Sequence, residues 1–256
     1  MQEFQLRQII AMLLPRKLFG FAASRFRPKY TYCVYQGALL AKKLGYKRIS
    51  MIEFGVASGN GLVCLEREAA KAEKKLGVEI DVYGFDTAAG LPSSEDYRDL
   101  PFAWKKGAMS MDYEALARRL KRARLVIGDI RETAGDFIKK YDPAPIAAVF
   151  HDMDYYSSTK AALRIFDADN KYLLPRMWNY FDDIGGDNLA LLSDYTGERL
   201  AIKEFNDSHE HKKISPAYNL LERTHIKYWH HQVFVLHTFD HEKYNTFIGS
   251  DKPSKL

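Results

Sequence analysis

The chain lacks the features that mark several protein classes. Its 256 residues include only two cysteines, Cys33 and Cys64, which stand in apolar, helix-like surroundings without CxxC spacing. This pattern argues against a disulfide framework or a thiolate metal site and fits a reducing compartment. No apolar run reaches the roughly 18 residues of a membrane span, and no signal-peptide pattern begins the chain. We therefore expect a soluble, cytoplasmic protein.

Internal repeats, low-complexity segments and nucleic-acid-binding motifs are also missing. The net charge is +5, but Lys and Arg are scattered without interleaved aromatic residues. This distribution predicts a solvated basic surface and no nucleic-acid partner. Acidic sugars, nucleotide-linked substrates and a membrane surface stay open as partners. With 46% hydrophobic residues, the chain is long enough for one large α/β domain.

Residues 1–29 are predicted to form a separate N-terminal element. Apolar residues recur at near-helical spacing over residues 2–14, which indicates an amphipathic helix, and a basic stretch follows that includes Arg27 and Lys29. Two readings stay open: the helix packs on its own domain, or it contacts a membrane surface or a second subunit. The main domain is expected over residues 30–248 and a flexible tail over residues 249–256.

Strand and helix signals alternate from residue 30 onward. Strands are predicted at 48–54, 79–85, 125–127, 146–150 and 177–181, and helices at 30–44, 61–76, 111–122, 131–141, 157–167, 197–205 and 217–223. A polar connection is expected over 206–213, and one long strand or a strand pair over 224–239. The alternation predicts an α/β fold with a doubly wound, mostly parallel sheet, whose ligands lie beyond the carboxyl ends of the strands.

Every predicted strand through the fifth ends at an acid. The acids are Glu53, Asp86, Asp129, Asp152 with Asp154, and Asp182 with Asp183. One such acid is ordinary because Asp favours turns and helix caps, but five strand ends in succession indicate a ligand site. The connection over residues 87–110 is too long for a plain crossover, and we expect it to act as a lid or substrate loop.

The segment from Ser50 to Gly61 is an apolar run that passes Glu53 and breaks into a glycine turn before a helix. Backbone N–H groups at such a turn can hold a polar or anionic ligand. The GxGxxG dinucleotide pattern needs a glycine where Ala57 stands. The spacing therefore disfavours an NAD-dependent oxidoreductase.

Glu53 followed by Gly55, Gly59 and Gly61 resembles the first motif of class I S-adenosylmethionine-dependent methyltransferases. The resemblance implies a Rossmann-like, seven-stranded sheet flanked by helices, with the turn against the methionine part of the cofactor. It also implies that the acid ending the second strand binds the ribose hydroxyls. The cofactor-binding residues are then expected to be Glu53, Gly55, Ala57, Ser58, Gly59, Gly61, Asp86 and Asp129. For Asp129 two readings stay open, a position near the adenine amino group or a helix cap.

Two downstream motifs carry a more specific resemblance. Residues 151–159 contain D-x-D-x-Y-x-S-T, and residues 181–185 resemble D-D-Y-G, both typical of the macrocin O-methyltransferase (TylF/MycF-like) family. In that family three Asp hold a Mg²⁺ that positions a sugar hydroxyl. The resemblance makes Asp152, Asp182 and Asp183 the metal ligands, with Asp152 and Asp182 also catalytic, and carboxylates suit Mg²⁺. Ile184 replaces the family's aromatic residue.

Together these motifs predict an S-adenosylmethionine-dependent, Mg²⁺-dependent O-methyltransferase that acts on a hydroxyl of a sugar-containing small molecule or glycan. Two alternatives stay open: a non-catalytic S-adenosylmethionine-binding protein, and an O-methyltransferase of a catechol-like vicinal diol. Catechol-type relatives carry a Lys base three residues past the first ligand, where this chain has Tyr155. The general base and a homo-oligomeric state are not assigned.

Overall fold

The structure, a computed structural model, describes residues 27–185 and 190–249. The helix predicted over residues 2–14, most of the basic stretch after it and residues 250–256 lie outside this part of the chain. Within it, no helix has the length and apolar character needed to cross a membrane.

The described residues form α-helices and strands that alternate along most of the chain. The α-helices are α1 (Pro28–Lys43), α2 (Asn60–Leu76), α3 (Tyr113–Ala117), α4 (Ile130–Tyr141), α5 (Tyr156–Leu163), α6 (Gly197–Ser208) and α7 (Tyr218–Leu221). The strands are β1 (Arg48–Phe54), β2 (Glu79–Asp86), β3 (Arg124–Ile127), β4 (Ile146–His151), β5 (Leu173–Phe181), β6 (Lys212–Pro216) and β7 (Val233–Thr238). Short 3₁₀-helices include Tyr97–Asp99 and Tyr228–Gln232.

All seven strands join one sheet in the order β3-β2-β1-β4-β5-β7-β6. Strands β1 to β5 run parallel to one another, and β7 runs antiparallel to both β5 and β6. The predicted doubly wound, mostly parallel, seven-stranded sheet is confirmed. Successive strands are added on one side of β1 up to β3 and on its other side from β4 onward. Ligand clefts of such sheets open at this switch point between β1 and β4.

The centre of the sheet is apolar on both faces because helices cover both. In β1 only Arg48 is exposed, and every residue of β4 is buried. One hydrophobic cluster lies between the sheet and α1 and α2, and another between the sheet and α4, α5 and α6. Helix α1 approaches closely: a Cβ at Gly37 would lie 3.1 Å from the carbonyl oxygen of Ala147. Small residues at this crossing let the helix lie against the strand.

The helix predicted over 111–122 is wrong in its second half, since α3 ends at Ala117. The backbone N–H groups of Lys121, Arg122 and Ala123 donate instead to the buried carboxylate of Glu66, at 2.9 to 3.1 Å. These donors are thereby lost to a continuing helix. The fifth strand is longer than predicted and starts at residue 173 rather than 177.

The C-terminal prediction needs a larger correction. The polar connection expected over 206–213 is divided between the end of α6 and the start of β6. The Asn206 side-chain amide donates to the Ile214 carbonyl at 2.8 Å and accepts from its N–H at 2.7 Å, so it holds the strand that follows. Only Val233–Thr238 of the predicted 224–239 segment is a strand. Edge strand β6 buries Ile214 alone, which leaves little apolar periodicity to detect.

Gly55, directly after β1, should tolerate no side chain. Its φ is +80°, and a Cβ would lie 1.8 Å from the Asp152 carbonyl oxygen. Because that oxygen belongs to the backbone after β4, we expect Gly55→Ala to lower the free energy of unfolding by about 3 kcal/mol. Gly77→Ala is the control: its φ is +72° but no atom of the described residues lies within 4 Å of the added Cβ, so it should lose about 1 kcal/mol. Urea denaturation measures both, and equal losses would contradict the steric argument.

Candidate active site

A cleft of about 860 Å³ opens at the carboxyl edge of the sheet, around the ends of β1, β2 and β4. The glycine turn after β1 forms one wall, and Leu91 and Met109 of the long 87–110 connection form part of the other. Glu53 and Asp152 both line the cleft. The cleft stands where the sheet topology predicts one.

Most of the predicted cofactor-binding residues line this first cleft. They are Glu53, Gly55, Ala57, Ser58, Gly61 and Asp86. Gly59 lies beside the cleft at the N-cap of α2, with φ +77°, and a Cβ there would lie 2.0 Å from a methyl carbon of Leu116. Its conformation shapes the turn that the cofactor is expected to contact.

Asp129 is the N-cap residue of helix α4. Its carboxylate caps the helix by accepting from the Arg131 N–H at 2.9 Å, and it also pairs with the Arg131 guanidinium. The structure therefore shows the helix-cap role of Asp129. The side chain does not line the first cleft, although Gly128 and Ile130 on either side do. Contact with an adenine amino group stays a prediction.

Asp86 fastens the glycine turn to the end of β2. One carboxylate oxygen accepts from the N–H groups of Val56 at 2.9 Å and Ala57 at 2.8 Å, and the other accepts from Ala88 at 2.7 Å. These bonds hold the turn open above the cleft. A ribose-binding role for Asp86 stays a prediction.

Glu53 is a buried acid with one free oxygen. Tyr30 donates its hydroxyl to Oε1 at 2.8 Å, whereas Oε2 has no hydrogen-bond partner among the described residues. Burial raises the pKa of Glu53 to about 7. Gly61 leaves room for this carboxylate, since a Cβ there would lie 1.9 Å from Oε1. An unpartnered carboxylate oxygen beside a cleft calls for a donor, and the ammonium of a bound methionine moiety fits.

The three predicted metal ligands come together at the ends of β4 and β5. Sheet hydrogen bonding continues past the strands: the Asp152 N–H donates to the Phe54 carbonyl at 3.0 Å, and the Asp182 N–H to His151 at 2.9 Å. Carboxylate oxygens of Asp152, Asp182 and Asp183, hereafter the acid trio, all lie within 4.8 Å of one another. Such a set of oxygen donors fits Mg²⁺.

The three carboxyl groups of the acid trio differ in the direction of their pKa shifts. Burial, together with the neighbouring acids, raises the pKa of Asp152 and of Asp183 well above the ordinary range. For Asp182 burial acts in the same direction, but the Lys29 ammonium and the Tyr180 hydroxyl outweigh it and lower the pKa. The buried Glu198, which accepts from the Asp183 N–H at 3.0 Å, adds another acid whose pKa burial raises.

Two cations from the start of α1 face these acids, a placement that the sequence reading did not foresee. Arg27 lines the first cleft and lies over the Tyr30 ring at 5.2 Å. The Lys29 ammonium lies 2.7 Å from Asp182 Oδ1. The sequence does contain a sign of this placement. Two cations without an acid at the start of a helix oppose the helix dipole, which indicates that other groups hold them there. The sequence also indicates Tyr180. It precedes Asp182 by two positions at the end of a strand, and residues two apart in a strand lie on the same face of the sheet.

A second cleft of about 750 Å³ lies on the other side of the acid trio. Its lining includes Asp182, Asp183, Trp104 of the long connection, and Tyr228 and Gln232 of the 3₁₀-helix before β7. Gln232 donates to the Asp182 carbonyl at 2.6 Å, and its own buried amide oxygen has no hydrogen-bond partner within residues 27–185 and 190–249. Sequence reading missed Tyr228 and Gln232 because they fell inside a predicted strand.

His151 lies behind the acids rather than in either cleft. It is buried, stacks on Phe181 with ring centroids 4.2 Å apart, and pairs with Asn179 at 3.1 Å. Burial lowers its pKa to about 3. This neutral ring packs the core beneath the site.

The sheet order, the single antiparallel strand β7 and the glycine turn after β1 define the fold of class I S-adenosylmethionine-dependent methyltransferases. No family model matches the sequence, and no curated protein matches it. Among solved structures, the calicheamicin methyltransferase CalS11 is similar at 22% identity and a TM-score of 0.56, over 92% of this chain and 91% of that one. The O-methyltransferase NovP is similar at 16% identity and a TM-score of 0.52, over 72% and 74%. At these identities the likeness shows the fold alone.

Stability should depend on pH through Glu53. Its folded-state pKa of about 7 exceeds the ordinary 4.5, so the folded protein holds this proton more tightly than the unfolded chain. The free energy of unfolding therefore falls as pH rises from about 4.5 to 7. We expect Glu53→Gln to remove about 3 kcal/mol of that fall at most, which favours the variant over the wild type at pH 8 but not at pH 4. Urea denaturation across this range provides the measurement.

The matched control is Glu79→Gln, which changes an exposed acid at the start of β2. Its profile should follow the wild type. A Glu53→Gln profile as steep as that of the wild type would show that Glu53 does not carry the effect.

Proposed function

We propose that this chain is an S-adenosylmethionine-dependent O-methyltransferase that uses Mg²⁺ and methylates a hydroxyl of a sugar-containing small molecule or glycan. The observation that carries the proposal is the position of the acid trio where two clefts meet. Asp152 lines the first cleft, and Asp182 and Asp183 line the second. A donor in one cleft and an acceptor in the other would meet at these carboxylates.

The first cleft provides the donor half. When bound, S-adenosylmethionine supplies a methyl group on a positively charged sulfur, which an oxygen nucleophile can take. In this proposal the free oxygen of Glu53 accepts from the methionine ammonium, and Asp86 accepts from the ribose hydroxyls. Gly55 and Gly61 of the turn add no side chain to the cleft. These residues bind and align the donor, and alignment supplies much of the rate in such a reaction.

The second cleft provides the acceptor half. The acid trio would hold Mg²⁺, which as a Lewis acid lowers the pKa of an acceptor hydroxyl. Trp104 and Tyr228 offer aromatic faces to a sugar ring, and the unpartnered oxygen of Gln232 accepts from a second hydroxyl. As the new O–C bond forms and the S–C bond breaks, the hydroxyl proton leaves. In this proposal a carboxylate oxygen of Asp152, which lines the first cleft, accepts that proton.

The names of the fold relatives agree with this reading. CalS11 is described as a TDP-rhamnose 3'-O-methyltransferase of calicheamicin biosynthesis, and NovP as an O-methyltransferase. For this chain the sugar acceptor and the metal requirement are part of the proposal.

Asp182→Asn tests the catalytic role of the trio. The substitution keeps the shape and removes a charged ligand, so we expect methyl transfer to fall about 100-fold or more with the affinity for S-adenosylmethionine nearly unchanged. Transfer is measured with labelled S-adenosylmethionine and a panel of sugar nucleotides and glycosides, with Mg²⁺ or with EDTA. Calorimetry measures cofactor affinity, and Asp207→Asn, an exposed acid on α6, is the control.

The panel also separates the alternatives. Full turnover in the presence of EDTA and in the Asp182→Asn variant would refute the metal-assisted mechanism. Transfer to catechols but to no sugar would assign the vicinal-diol activity instead. Tight cofactor binding without transfer to any acceptor would favour the non-catalytic alternative.

Trp104→Ala tests the second cleft as the acceptor site. Loss of the aromatic face should raise KM for the acceptor about tenfold and leave the Kd of S-adenosylmethionine unchanged. Tyr97→Ala is the control, because Tyr97 belongs to the same connection, is 68% exposed and lines neither cleft. A change in cofactor affinity with constant acceptor KM would refute the assignment of the two halves.

A further inference from the structure

Helix α1 begins with charges of the wrong sign for a helix start. Arg27 is its N-cap residue, and its side chain makes no capping hydrogen bond to the described residues. Lys29 lies in the first turn, which contains no acid. The amino end of a helix carries a partial positive charge that repels cations. The helix therefore does not explain why these two side chains are held where they are.

Contacts outside the helix hold Lys29. Its ammonium lies 2.7 Å from Asp182 Oδ1 and donates to the Tyr180 hydroxyl, over whose ring it sits at 4.4 Å from the centroid. The Lys29 side chain is only 11% exposed. A charge this poorly hydrated needs a partner, and Asp182 is the carboxylate that it contacts.

The pairing singles out one of the three expected metal ligands. Of the three carboxylates, Asp182 is the one that Lys29 contacts within the described part of the chain, through Oδ1. Lys29 thus gives Asp182 the neutralising contact that a bound cation would otherwise give. One carboxylate oxygen cannot keep both contacts at full strength.

We propose that Lys29 is a tethered counter-ion of Asp182, which a divalent cation must displace in order to bind the acid trio. The inference rests on the metal site of the proposed function and concerns the regulation of that site. It makes metal binding weaker than the trio alone would allow, and it couples the start of α1 to the state of the metal site. A residue that merely positioned Asp182 for the metal would have the opposite effect, because its removal would weaken binding.

Titration of the full chain with Mn²⁺ tests the proposal without cofactor or acceptor. Mn²⁺ shares the oxygen preference of Mg²⁺, and free Mn²⁺ is counted by electron paramagnetic resonance alongside calorimetry. Lys29→Met keeps the length of the side chain and removes its charge. We expect its Kd for Mn²⁺ to fall about tenfold or more relative to the wild type, which corresponds to about 1.4 kcal/mol. An unchanged or higher Kd, or no binding to the variant, would overturn the proposal.

Lys203→Met serves as the matched control, since Lys203 pairs with Asp207 on the surface of α6 and both side chains are about 60% exposed. Its Mn²⁺ affinity should equal that of the wild type. No methyl transfer is measured in this experiment. A chain that fails every methylation assay could still show the tighter binding, and a chain that methylates could fail to show it, so the two proposals fail separately.

Thermal unfolding provides a second readout. Without metal, Lys29→Met leaves Asp182 uncompensated and should have a lower Tm than the wild type. A ligand that binds the folded state more tightly raises Tm further, so saturating Mn²⁺ should raise the Tm of the variant by more than that of the wild type. If Lys29→Met does not fold, Lys29→Gln, which retains a donor without the charge, replaces it in both measurements. Equal Tm rises in variant and wild type would reject displacement.

Discussion

Crowding of buried carboxylates at the ends of neighbouring parallel strands is the constraint on which the rest of the site depends. Because the carboxyl-terminal parts of β1, β4 and β5 pair without a register shift, the acids that follow them must lie close together. Like charges this near to each other and this far from water cannot all be ionised without compensation. A backbone N–H group that donates to Asp183 and the cations of α1 reduce that cost.

The long connection over residues 87–110 belongs to both halves of the site. It contributes Leu91 to the first cleft and Trp104 to the second. Its middle is fixed by the buried Asp99, whose carboxylate accepts from the Ser157 N–H at 2.8 Å and from the Ser157 hydroxyl at 3.0 Å. The connection is therefore anchored at the start of α5, a few residues from Asp154. The cleft-lining residues Leu91 and Trp104 lie on either side of that anchor.

The sequence predicted the parts of the molecule that local chemistry determines. Strand β1 was placed at its observed bounds because an apolar run meets a glycine turn, and the acid trio was found through motifs that follow consecutive strands. It could not place Lys29 against Asp182, since a contact across 153 positions depends on how α1 packs on the sheet. Gln232 was missed for a similar reason. A segment rich in β-branched and aromatic residues reads as a strand, yet part of it forms a 3₁₀-helix at the site.

The antiparallel direction of β7 has a consequence for how the protein can change. In a parallel strand the chain leaves the sheet at the ligand edge, but in β7 it arrives there, so the residues just before the strand stand beside Asp182. Tyr228 and Gln232 thus reach the site from a segment far along the chain from the glycine turn and from Asp86. Under the proposed division of the two clefts, substitutions in that segment alter acceptor choice without touching the residues expected to hold the donor. In that proposal, one inverted strand makes acceptor choice and donor binding separately adjustable traits.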